Sequence, residues 1–212
     1  MDEEMSEDGA PASQTSEKGW VQARGDRHLW IPCPAWFPEG HDRGSWAAMM
    51  AGAWWEQSGL TYTATAVEQL AAMLRRIHEQ GYAKVPCHQI WIYLRDPAAP
   101  PLPVHIGIWK MQDERNKRLR SLSGADDTAS TRPPEVAELA TETLGPGIRA
   151  MRYRMRESGA LAMVGYAFRS EGFETDVQIS TATRDLRQLG TAISDIEEFI
   201  RGVTVCTPGA ST

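Results

Sequence analysis

Apolar and polar positions change period several times along the chain, and each change marks an element. From Trp46 to Gln57 apolar residues recur without alternation, no proline intervenes and Gly59 follows, so a helix is predicted with Asp42 or Ser45 as its cap. Thr65 with Glu68 three residues later has the form of a capping box. Val67, Leu70, Ala71, Leu74 and Ile77 then make one stripe at helical spacing, so a second helix is expected, ending at Gly81. Residues 88–94 (HQIWIYL) and 103–110 (PVHIGIWK) read as two strands that pair as a hairpin across the Pro-rich connection from Asp96 to Pro103.

Further along, residues 112–132 are polar and rich in turn formers, which predicts a flexible loop, and a short helix is expected near Pro134 to Thr143. From Gly147 the period becomes two. Met151, Tyr153 and Met155 alternate with Arg152, Arg154 and Arg156; after a turn at Ser158 and Gly159 comes ALAMVGYAFR, and then Phe173, Thr175, Val177 and Ile179 alternate with Glu174, Asp176, Gln178 and Ser180. Three such strands predict an antiparallel meander with one wet face, its arginines paired across strands with Glu174 and Asp176. A last helix from Thr183 or Arg184 carries Leu186, Leu189, Ile193, Ile196 and Ile200, and a short strand from Val203 to Val205 follows. Strands in runs, with amphipathic helices to cover them, predict an α+β fold: an antiparallel sheet of about five to seven strands with helices packed on its faces.

The chain has 212 residues, 42% hydrophobic and 24% charged, a globular balance. Residues 1–19 have the composition of a disordered acidic tail, 20–206 fit a single α+β domain, and 207–212 read as a second disordered tail. The formal charge of -6 is concentrated in residues 1–18, which hold six acids and one lysine, so the rest of the chain is nearly neutral. That argues against nucleic acid as a partner. No apolar run approaches the roughly 18 residues of a spanning helix, which argues against a membrane. The acidic opening MDEEMSEDG lacks a signal-peptide pattern, so the expected location is cytoplasmic.

The stretch from Gly147 to Val205, above all VQISTATRDLRQLGTAISDIEEFIRGVTV, resembles the Mog1/PsbP-like sandwich proteins in its order of meander, threonine-bearing turn and closing helix. The Ala- and Arg-rich style also resembles small actinobacterial proteins. The resemblance implies an accessory role of docking onto a partner, and it transfers no site residue.

Candidate chemistry centres on WIPCPAWFPEGHDRGSWAAMMAGAWW, which holds five of the eight tryptophans. Trp30, Trp36, Trp46, Trp54 and, further on, Trp91 are the aromatic candidates for a binding surface, with Arg152 and Arg154 as anion-binding candidates. Cys33, between two prolines, has His28, His41, His88 and His105 as possible bases. Cys33, His41, Asp42, Cys87, His88 and His105 include too few convergent ligands to argue for a metal. No nucleotide-binding, α/β-hydrolase or zincin motif is present. The expectation is a protein-binding domain without catalytic residues or cofactor, acting through its Trp-rich surface on a protein partner or as a homo-oligomer. The alternative is a small-molecule-binding or hydrolytic domain with a pocket formed by Trp36, Trp54 and Trp91 around Cys33 or His105.

Overall fold

The computed structural model describes residues 20–84, 89–112, 114–157 and 159–207. The two predicted tails, apart from Thr207, and Cys87 and His88 lie outside them. In chain order the elements are β1 (Trp20–Gln22), β2 (Trp30–Cys33), α1 (Arg43–Ser58), α2 (Ala64–Lys84), β3 (Gln89–Tyr93), β4 (Leu102–Lys110) and α3 (Arg115–Ser123). There follow β5 (Glu135–Thr141), β6 (Gly145–Arg156), β7 (Gly159–Ser170), β8 (Thr175–Thr183), α4 (Leu186–Arg201) and β9 (Thr204–Cys206).

Seven strands form one antiparallel sheet in the order β2-β3-β4-β8-β7-β6-β5, and β1 pairs with β9 in a separate ribbon. The expected α+β sheet with helices on its faces is therefore present. The β3–β4 hairpin and the β6–β7–β8 meander form as predicted, and β4 joins them by pairing along β8.

Strand alternation sends each strand to two cores. Val104, Ile106, Val164, Tyr166, Phe168, Val177 and Ile179 point to the face covered by α4, where Leu189, Ala192, Ile196, Phe199 and Ile200 meet them. Ile31, Ile90 and Ile92 point the other way, beneath Trp46, Ala51, Trp54, Leu70 and Leu74 of α1 and α2. Each fully buried Leu or Ile contributes about 1.5–3 kcal/mol, so these layers hold the helices far more firmly than helix propensity would.

Four local expectations are corrected. Residues 112–132 contain α3, whose Leu119 and Leu122 pack on Ala167 with Trp109 and Ile148 beside them. Residues 135–141 form β5 instead of a helix, because pairing along β6 outweighs the weak helical pattern of EVAELAT. The cap of α2 is Thr63, whose Oγ1 accepts from the Ala66 amide at 3.2 Å, and Thr65 lies inside the helix. Gly81 does not end α2 but lies where a Cβ would run into Ile90, so it lets the helix approach β3. By contrast Asp42 caps α1 as expected, accepting from the Ser45 amide at 2.7 Å.

The arginine-bearing face of the meander is also not wet, since α3 and the segment after it lie over it. Gly165 on β7 is directly beneath the Ser123 carbonyl, at a place where any side chain would lift the helix away.

Candidate functional site

The tryptophans divide between the two faces of the sheet. Trp30 is buried on the α4 face, stacked on Phe199 at 4.2 Å and tilted against Tyr93 at 5.3 Å. Trp91 shares that face, 5.2 Å from Phe199, and its Nε1 donates to Gln89 at 3.1 Å. Trp46 and Trp54 are buried on the opposite face, and Trp54 Nε1 donates to the Leu94 carbonyl at 2.8 Å. The pocket expected from Trp36, Trp54 and Trp91 is therefore not assembled. Trp91 alternates away from Ile90 and Ile92, the residues on which Trp54 packs.

Trp36 stands apart with 74% of its surface exposed. It projects from the loop between β2 and α1, and the next residue, Phe37, anchors that loop. The Phe37 ring stacks on His78 at 5.0 Å and tilts against Trp46 at 6.4 Å, while Tyr82 meets His78 edge-on at 5.5 Å. His78 is only 7% exposed, and neither ring nitrogen reaches full hydrogen-bond geometry. Burial pushes its pKa below the ordinary histidine value and the Arg43 charge adds to this, while the Pro34 carbonyl and Glu79 pull the other way. One turn along α1 from Trp46, Met49 is 60% exposed. The outward positions Ala48, Met49, Gly52, Ala53 and Glu56 include a single charge.

Arg152 and Arg154 are held from within the protein. Arg154 donates through Nε to Asp127 Oδ2 at 2.9 Å, and Arg152 Nε lies 3.3 Å from the same oxygen while its Nη1 donates to the Ser123 carbonyl at 3.0 Å. The hydrogen bond from Arg154 holds the Asp127 carboxyl below its ordinary range. Glu174 and Asp176 are not the partners expected for these arginines. Asp176 is bound by Arg169, Nε to Oδ1 at 2.7 Å and Nη2 to Oδ2 at 3.1 Å. Asp127 was missed in the sequence because it falls in the segment read as a loop; the acid pair Asp126–Asp127 just beyond a basic stretch was the available signal.

Cys33 is buried in β2, and its carbonyl accepts from Tyr82 at 2.9 Å. The register aligns Cys33, Ile90 and His105 across three strands on one face. Two strand spacings, about 10 Å, thus separate the Cys33 and His105 backbones, with the Ile90 side chain between them. His105 is half-buried, and burial pushes its pKa down. Asp42 serves as a helix cap, His41 is exposed in the loop, and no group of three or more metal-ligating side chains occurs among the described residues.

These features define an antiparallel α+β protein with a tryptophan protruding from the β2–α1 loop and an arginine face held by Asp127 and the Ser123 carbonyl. No protein-family model and no curated protein matches the chain. Among solved structures the chain is similar to LpqN of Mycobacterium tuberculosis, described as involved in cell envelope biogenesis. The two are 10% identical, with 92% of this chain and 88% of that chain covered and a TM-score of 0.49. No helix among the described residues is long and apolar enough to cross a membrane.

Proposed function

We propose that this protein is an accessory domain that binds another protein through Trp36 and the outer face of α1. The observation that carries the reading is the 74% exposure of Trp36 on a loop held in place by Phe37. A large apolar ring left in water on a braced support matches the anchors that dominate protein interfaces. The outer face of α1 supports it, because a helix with so few charges on its solvent side is suited to being covered. The resemblance of Gly147 to Val205 to the Mog1/PsbP-like proteins points toward the same docking role.

The test is a photocrosslinking residue placed at position 36, with a control at Glu198 on α4, used in extract of the native host. Position 36 is expected to give a discrete adduct that the control lacks, and Trp36→Ala combined with Met49→Ser is expected to weaken capture of that partner tenfold or more without changing the melting temperature. Equal adducts from the two positions would refute the reading.

A further inference from the structure

The sheet has two open edges of different character. β2 offers four residues and includes Pro32, which has no N–H to give a ladder. β5 offers seven residues with no proline, and among the described residues its only strand neighbour is β6. A strand of that length with one side unpaired is a template for another strand.

A groove of about 520 Å³ runs beside β5, between Asn116 and Leu119 of α3 and Glu138 and Ala140 of β5, with Ile148 in its floor. Directly opposed residues share a face, so Val136, Glu138 and Ala140 stand on the groove side with Ala150, Ile148 and Pro146. Ala137 and Leu139 stand on the other side. Arg115 at the α3 wall is engaged, lying 3.4 Å from Glu171 and donating to the Pro146 carbonyl at 3.0 Å. Glu135 is paired with Arg132. Glu138 has no side-chain partner among the described residues.

We propose that β5 accepts an extended segment of a partner protein as an eighth strand, and that this segment carries one Lys or Arg facing Glu138 with apolar residues on both sides of it. The pattern follows from the register. Residues of the added strand on the groove side lie beside Val136, Glu138 and Ala140, and those on the other side lie beside Ala137 and Leu139. The matching five-residue pattern is apolar, apolar, basic, apolar, apolar. A second copy of β5 fits poorly, since antiparallel pairing centred on Glu138 would oppose two glutamates. Residues 1–18 of the chain, with six acids and one lysine, carry the wrong sign.

The probe is a capped, fluorescein-labelled nine-residue peptide with a central lysine, two valines on each side and serines at the ends. Its binding is followed by anisotropy and by amide shifts of the ¹⁵N-labelled protein. The lysine peptide is expected to shift amides of β5, β6 and α3, and to lose at least tenfold in affinity when alternate peptide amides are N-methylated. Glu138→Lys, an exposed change, is expected to weaken it about fivefold and to turn the preference toward the same peptide with a central glutamate; Glu138→Gln should fall between. Indifference to N-methylation or to the central charge, or no binding of any peptide, would overturn the proposal. So would self-association through β5, which would make a second copy the occupant. Trp36→Ala is expected to leave this binding unchanged, so the two surfaces stand or fall separately.

Discussion

The α1–α2 layer and α3 cover the same side of the sheet by opposite means. Beneath α1 and α2 the contact is almost wholly apolar: Ile31, Ile90 and Ile92 against Trp54, Leu70 and Leu74. Beneath α3 the apolar part is small, and the helix is tied down by charge and amide contacts. Arg118 lies over Trp109 at 5.7 Å, Trp109 donates to Gln178, Gln178 donates to the Leu122 carbonyl at 2.6 Å, and Arg152 and Arg154 hold Asp127 just beyond the helix. An apolar layer tolerates small shifts, whereas a polar one depends on each partner being present, because a buried charge left alone is costly.

The sharpest way to break the second layer is Asp176→Ala, which leaves the buried Arg169 guanidinium without its carboxylate. A loss of about 4 kcal/mol in urea-unfolding stability is expected, with hydrogen exchange rising first in α3. Leu74→Ala in the first layer is expected to cost about 3 kcal/mol, mostly through the cavity left behind, with α3 exchange unchanged. If the two variants loosened the same amides, the layers would be one cooperative unit and the contrast would fail.

Acid should separate the layers with a smaller effect. His78 has a folded pKa below its unfolded value near 6.5, so the stability it lends is complete above that value and declines as pH falls through it. Asp127 has a depressed carboxyl, so its contribution is present above the ordinary carboxylate value and is lost only as pH falls below about 3.8. Between pH 7.5 and 5 the urea midpoint should therefore drop, exchange should rise in α1 and α2 before the Asp127 segment, and His78→Phe should blunt the drop.

This contrast also explains what the residues disclosed in advance. Regular apolar periods announce themselves, so α1, the body of α2, the β3–β4 hairpin, the meander and α4 were legible. The period-two run RAMRYRMR showed which side of β6 each residue takes, but nothing local said that α3 would cover the arginines. Helix α3 has the basic, water-loving sequence RNKRLRSLS, and it is held by partners at Asp176, Gln178 and Arg152 that lie far along the chain. Strand β5 was missed for the same reason, since its mixed sequence takes its conformation from β6. The division of the aromatic candidates between the two faces was not legible, because it depended on which face each strand position takes. Of these candidates, Trp36, which lies outside any element, is the most exposed.

The strand order has a consequence for how the chain is made. Strand β4 is an inner strand of the sheet, yet its neighbour on one side is β8, and Thr181 donates to the Pro103 carbonyl 78 positions earlier. While the chain is being synthesised, the β2–β3–β4 unit thus waits with its inner edge bare until the meander has emerged, and α4 can seal that face only afterwards. The slow step of folding is expected to be this long-range closure, and the nascent first half is the stage at which the protein most needs shielding from other chains.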